Sequence, residues 1–248
     1  MSTLRLTRFL ARAGAASRRA AADLVTAQRV RVNGALPSGP GDPVDPARDV
    51  VTLDGRVLAL AAELHVALHK PTGYATSRQR VGKFPPVFEL IPDAPRALVV
   101  VGRLDVMTQG LLLFTTDGEL ASRLMHPRWQ VPRRYRVEVT GAIGPDGREA
   151  LDHGLVVTGE TRSVKPVHWR YTPVPRGGVL ELTLDEGRSR IVRRLCRALG
   201  LGVRRLVREA YGPVTLGDLA AGHTRTLAPS EVQALYRAVR LAPPGTPG

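Results

Sequence analysis

The chain contains one cysteine in 248 residues, Cys196. No internal disulfide is open to it, and no thiolate metal site can be built from it. The thiol reads as a core residue, and the scarcity of cysteine fits a reducing cytoplasm. Aromatic residues are equally scarce, 4% against 43% hydrophobic overall, which leaves Leu, Val and Ala to fill the core. No apolar run approaches the ~20 residues of a membrane span. The opening segment MSTLRLTRFLARAG lacks the uninterrupted apolar stretch of a signal peptide. A soluble, cytoplasmic protein with no membrane partner is expected. The six histidines, His65, His69, His126, His153, His168 and His223, offer no pair at metal-ligand spacing, and neither a P-loop nor a GxGxxG is present. No metal or cofactor is indicated. Nothing argues for an oligomer, so a monomer is expected.

Acid is the remaining shortage. Asp and Glu number 22 against 36 Lys and Arg, a formal charge of +14 and a pI near 11.2. Nearly all the cations are arginine, the side chain that grips phosphate bidentately and stacks on bases, so a polyanionic partner is the leading inference. Because GC-rich coding DNA enriches arginine on its own, the placement of these residues has to carry that inference.

The length allows a small domain followed by a medium one. In the first, Leu6, Phe9, Leu10 and Ala13 recur at helical spacing, while Arg5, Arg8 and Arg12 form a stripe on another face. Gly14 is placed to stop this helix and Ser17 to cap a second one beginning Arg18-Arg19. The segment VRVNGALP then reads as a hairpin turning at Asn33-Gly34. After a Pro/Gly-rich loop, 37–46, VVTLDGRVL reads as a further strand pair around Asp54-Gly55. The boundary is expected near residue 61, giving domains 1–61 and 62–240. A tail, 241–248, is expected to be disordered.

The second region holds the most informative block, VGRLDVMTQGLLLFTTDG from Val101 to Gly118. The run LLLFTT fits a strand buried on both faces, and Asp117-Gly118 turns it into a helix that ends before Pro127. RRYRVEVTG alternates, with Tyr135, Val137 and Val139 on one face and Arg134, Arg136 and Glu138 on the other. Farther on, Arg190, Arg193, Arg194 and Arg197 fall on one helical stripe opposite Val192, Leu195 and Leu199. Such a stripe repels itself, so phosphate, a buried carboxylate, or both should face it. Asp105, among apolar neighbours and directly after Arg103-Leu104, has two readings on residues alone. It satisfies turn amides, a common task for Asp, or it is a nucleophile kept ionised by cations.

Resemblance separates the two. The block is similar to the catalytic motif G-R-L-D-x-x-T-x-G-L-L-L-x-T-x-D-G of the RsuA/RluB-type ribosomal RNA pseudouridine synthases, matching every fixed position from Gly102 to Gly118. Lys70-Pro71-Thr72-Gly73 resembles the family's K-P-x-G segment. Tyr135 stands in its K-x-Y-x-V strand, with Arg133 in place of the lysine. Residues 186–195 resemble E-G-[RK]-x-R-Q-[VI]-R-R-M, with Ser189 for Asn and Ile191 for Gln. Residues 212–231 match the C-terminal G-P-[IV]-x-L-G pattern, in which Ser230 is expected to cap a last helix. Residues 4–34 resemble the small αL RNA-binding module of the same enzymes, with Gln28 in place of the usual Gly.

The resemblance implies an α+β fold, an αL module followed by a catalytic domain with a mixed, mainly antiparallel sheet flanked by helices. It implies Asp105 as nucleophile, Arg193 pairing it, Tyr135 stacking on the target uracil, and Arg103 filling the space the base vacates or gripping its phosphate. Arg5, Arg8, Arg12, Arg18, Arg19, Arg29, Lys70, Arg133, Arg190, Arg194 and Arg197 are the expected RNA contacts. The partner implied is ribosomal RNA, 23S rather than 16S, free or within an assembly intermediate. A tRNA-directed synthase, or a non-catalytic ribosome-assembly factor, would share the basic features. The set Arg103, Asp105, Tyr135 and Arg193 argues for the enzyme.

Overall fold

The computed structural model describes residues 3–242. The first elements are β1 (Leu4–Arg5), α1 (Leu6–Arg12), α2 (Arg18–Thr26), β2 (Val30–Val32), β3 (Pro43–Val44), β4 (Val51–Leu53) and β5 (Arg56–Val57). Ser17 caps α2 as expected, its Oγ accepting from the Ala20 amide at 3.3 Å. Leu6, Phe9 and Leu10 from α1 and Ala21 and Val25 from α2 bury their apolar stripes against Val30, Val44 and Val51. The hairpin expected over 30–37 shrinks to one antiparallel bridge, Val32 with Ala35, closed by reciprocal amide–carbonyl bonds of 2.9 and 3.0 Å. Asn33 and Gly34 do turn the chain with positive φ, 53° and 83°, but β2 pairs with β4, in the three-stranded order β2-β4-β5. Asn33 explains the preference. Its Nδ2 donates to Asp49 and its Oδ1 accepts from the Val50 amide, each at 2.9 Å, which draws the distant strand in.

Residues 58–64 connect this module to the rest of the chain as a pinned strap. Leu58 and Leu60 pack on the module core, Leu64 on the next, and the Ala61 amide donates to the Arg12 carbonyl at 3.2 Å.

The larger, C-terminal region comprises β6 (His65–Lys70), β7 (Val99–Val101), β8 (Gln109–Thr115), α3 (Gly118–Met125), β9 (Arg133–Thr140), α4 (Pro145–His153), β10 (His168–Val174), β11 (Gly177–Leu184), α5 (Ile191–Ala198), β12 (Gly202–Tyr211), β13 (Val214–Thr215), β14 (Thr224–Thr226) and α6 (Pro229–Ala238). One nine-stranded sheet runs β10-β11-β9-β12-β8-β6-β14, with β13 added to β12 and β7 to β8. Every pairing is antiparallel except β8 with β12. β8 is buried on both faces over 110–115, and β9 alternates as its sequence predicts. One core gathers β9, β11, α4 and α5, and it takes in Cys196. Burial pushes the Cys196 thiol up to about 12, so it is an inert core residue. A second core packs α3 and α6 on β8 and β12.

Two helix ends differ from expectation or sharpen it. Asp117 caps α3 by accepting from the Glu119 and Leu120 amides at 2.8 and 3.3 Å. α6 is capped at Ala228 rather than Ser230. The Glu231 carboxylate reaches back to the Ala228 amide at 2.9 Å, and Pro229 needs no amide partner in the first turn. The tail expected from 241 lies outside the described residues from 243 onward. Leu241 itself is held, packed on the second core with its amide donating to Tyr236 at 3.0 Å. Among the described residues, no helix is long and apolar enough to cross a membrane.

Candidate active site

Asp105 sits in the loop 102–108 between β7 and β8. Both sides of this loop are tied down. The Thr76 hydroxyl donates to the Leu104 carbonyl at 2.7 Å, and its oxygen accepts the Leu104 amide at 3.2 Å. The Gly73 amide donates to Val106 at 2.9 Å, and the Thr108 amide to Asp105 at 3.0 Å. Beneath the loop lies Lys70. Its Nζ donates to the carbonyls of Pro71 and Thr108 at 2.9 Å, Asp105 at 3.2 Å and Val106 at 3.3 Å. Burial is the main force pushing the Lys70 ammonium down, to about 8. The Asp105 charge opposes that shift and the Arg208 charge adds to it.

Gly110, just after the loop, shows why this position is glycine. Its φ is +113°, and a Cβ there would meet the Arg208 backbone oxygen at 2.3 Å. The close crossing of β8 and β12 tolerates no side chain, and it fixes where the loop leaves the sheet.

Asp105 points into a cleft of about 420 Å³ lined also by Tyr135, Ile191, Arg193, Leu206 and Arg208. Its side chain is 36% exposed, and Arg193 Nε lies 4.0 Å from Oδ2. At that distance and exposure the pair adds ~1 kcal/mol or less to stability, so it does little to hold the fold. Arg193 is itself aimed by its Nη2, which donates to the Met107 carbonyl at 2.6 Å. Tyr135 is 7% exposed at the cleft wall, a flat apolar face of the kind bases stack on. Arg103 is exposed at the rim. The sequence-derived set of Asp105, Tyr135, Arg193 and Arg103 therefore converges on one cavity.

The expected RNA contacts fare differently, and several are engaged by protein groups. Lys70 is wholly buried under the loop 102–108 and cannot meet a phosphate. Arg133 is 6% exposed and donates to the Leu124 carbonyl and the Tyr211 hydroxyl at 3.2 and 3.0 Å. Arg8 is paired with Glu119 and, at 3.4 Å, with Asp117. Arg12 is paired with Glu63 at 3.2 Å. Both hold the module to the C-terminal region instead of facing outward. Arg194 pairs with Glu160, which also receives Arg188 at 2.9 Å. Arg190 precedes α5, with left-handed φ of 52°, so the expected four-arginine stripe splits into separate tasks. Arg29 is bound at the surface to Asp54 at 2.6 Å. Arg5, Arg18, Arg19 and Arg197 stay exposed. Sequence reasoning missed Leu206, Arg208, Tyr211 and Arg188 in the cleft wall. The available signal was an arginine inside the apolar run Leu206 to Tyr211.

The family model described as RNA pseudouridylate synthase matches residues 64–198, and the S4 domain model matches residues 4–50. An RNA pseudouridine synthase of Aquifex aeolicus is 37% identical over 97% of both chains. One from Mycobacterium leprae is 42% identical over 96% of this chain and 94% of its own. The ribosomal large subunit pseudouridine synthase B of Bacillus subtilis is 33% identical over 93% and 95%. A solved pseudouridylate synthase superposes with a TM-score of 0.66 at 28% identity, covering 94% of this chain and 99% of its own. With these matches spanning both the RNA-binding module and the cleft around Asp105, the chain belongs to the RNA pseudouridine synthase family, in the branch that carries an N-terminal S4 domain.

Proposed function

We propose that this enzyme isomerises one uridine of large-subunit ribosomal RNA to pseudouridine, with Asp105 as nucleophile. The observation that carries the reading is the placement of Asp105. It is a carboxylate on a loop braced from both sides, open to a cleft, with Arg193 at 4.0 Å and the Tyr135 ring in the wall. The large-subunit assignment is supported by relatives named for that activity in Bacillus subtilis, Yersinia pestis and Pseudomonas aeruginosa. The working unit is a monomer of two domains, 1–61 and 62–240, acting on RNA as free transcript or assembly intermediate.

Flipping the uridine from its stack costs a few kcal/mol, about what stacking and phosphate contacts return. Tyr135 offers the stacking face, and Arg103 at the rim takes the space the base leaves. Asp105 then attacks the nucleoside at C1′ or at uracil C6, while Arg193 holds the carboxylate ionised and oriented. The C1′–N1 bond breaks, the uracil rotates within the cleft, and C5 bonds to C1′ with loss of its proton. Tyr135, in the wall of the same cleft, is the candidate to assist that last transfer.

The test is a pseudouridine map of both ribosomal RNAs in a strain lacking the protein, complemented with wild type or with Asp105→Asn. One large-subunit site should disappear, return with wild type, and stay absent with the variant even though the variant still binds RNA. A site restored by Asp105→Asn would remove Asp105 as nucleophile. An unchanged map would favour an assembly factor or a tRNA substrate.

A further inference from the structure

Behind Asp105 the cleft is walled by cations that outnumber its carboxylates. Its lining includes six arginines, Arg103, Arg133, Arg188, Arg190, Arg193 and Arg208, against a single carboxylate, Asp105. Arg208 is the deepest. It is 2% exposed, its Nε donates to the Leu111 carbonyl at 2.8 Å, and its Nη2 is buried with no hydrogen-bond partner. Arg133 shares the floor. The two guanidiniums lie 5.0 and 4.9 Å from the ring centre of Tyr211. Neither joins an ion pair among the described residues. A buried guanidinium with an unused N–H group is expensive to keep, so a ligand that brings negative charge to this depth has to be considered.

A bulky backbone phosphate does not fit that requirement, because Arg208 is almost wholly enclosed. The group that enters deepest is the flipped base. Breaking C1′–N1 sends the bonding pair to the pyrimidine, where it spreads over N1, O2 and O4. This holds when an Asp105 oxygen takes C1′ as N1 departs; when Asp105 has first added to C6, that carbon is saturated and the pair is shared by N1 and O2. The later steps return the charge. C5 attacks C1′, the carboxylate is released, the C5 proton is lost, and N1 regains a proton from water.

Resting on the function proposed above, we infer that Arg208, backed by Arg133, stabilises the negative charge of the detached uracil and so acts as a catalytic residue of the bond-breaking step. The unused Nη2 supplies a donor set in place before the charge appears, the arrangement in which electrostatic stabilisation is strongest. Arg208 already makes itself felt nearby, since its charge adds to the effect of burial on Lys70 under the Asp105 loop. The competing explanation is structural. The same side chain bridges β12 to β8 through Leu111, and that bridge alone would account for its burial.

Leaving-group chemistry separates the two. Large-subunit ribosomal RNA is transcribed with uridine or with 5-fluorouridine, whose ring carries negative charge more readily. Loss of the target nucleoside is then followed in single turnovers. Arg208→Met should slow the uridine transcript about 100-fold and the fluorinated one about 10-fold or less, with RNA affinity changed by less than about twofold. Equal losses on both transcripts, or an unchanged rate, would overturn the inference in favour of the structural bridge. Should Arg208→Met fail to melt cooperatively, Arg208→Lys decides by the same ratio, because it keeps a charge but loses the forked donors. A wild-type enzyme inactive on the uridine transcript would instead reject the proposed function, and the inference with it.

Discussion

Lys70 has three hydrogens to offer and four backbone carbonyls within reach, three of them from the segment 105–108. Its loss of a proton therefore has a structural consequence. Above about pH 8 the folded protein carries a neutral amine with two donors, and the loop that aims Asp105 loosens. The unfolded chain keeps the proton up to the ordinary lysine value of 10.5. Between those values the unfolded state binds more protons, so folding stability rises with pH. Catalytic rate should fall through an apparent pKa near 8 while the melting temperature, in the same buffers, is held or raised. A rate that is flat from pH 7 to 9.5 would show that the loop does not depend on the ammonium. The sequence pattern around residue 70 pointed to the residue but not to this task. A K-P-x-G motif marks a strand end, and nothing local says that another loop closes over it. Asp105 was legible because its motif is contiguous. Arg208 was not, because bulges between Val203 and Arg205 and between Arg208 and Ala210 break the alternation of β12. Leu206, Val207 and Arg208 are consequently all buried in succession.

Three elements meet at Asp117. It caps α3, accepts from the Tyr236 hydroxyl of α6 at 2.9 Å, and receives Arg8 of α1. Burial raises the Asp117 carboxyl, but the Glu119 amide, the Tyr236 hydroxyl, the Leu120 amide and the Arg8 charge outweigh it and leave it below its ordinary value. That contribution is complete above the unfolded carboxylate pKa near 4 and is lost as pH falls through the folded value. Arg8→Ala leaves the cap and the tyrosine in place while freeing α1. It should cost about 1 to 3 kcal/mol and make residues 58–64 more sensitive to protease, with activity on short RNA retained. Unchanged cleavage would mean that Leu58, Leu60 and Leu64 fasten the module without Arg8. Elements with a self-contained pattern, such as β8, α3 and β9, are readable from their own residues. The role of α1's basic stripe is not, because its acidic partners lie far along the chain, 109 and 111 residues away for Arg8 and 51 for Arg12.

On the whole molecule the excess of +14 divides into cations consumed internally and cations left for RNA. Arg8, Arg12, Arg188 and Arg194 belong to the first group, and exposed Arg18 and Arg19 to the second. Affinity for RNA should fall steeply with salt. The double change Arg18→Ala with Arg19→Ala should flatten the log–log slope by about two, one per phosphate contact. Arg12→Ala should leave the slope nearly unchanged. A slope unaffected by the Arg18 and Arg19 changes would place the RNA on another face. The parallel contact of β8 with β12 reaches further than its two registered residue pairs suggest. Asp105 arrives with the strands on one side of that seam and Arg193 with the helix preceding the strand on the other. Pairing residues nearly a hundred positions apart is slow, because loop closure comes before the reward of contact. Asp105 and Arg193 are therefore strangers through most of folding, and the cleft that holds them exists only when the two halves of the sheet join.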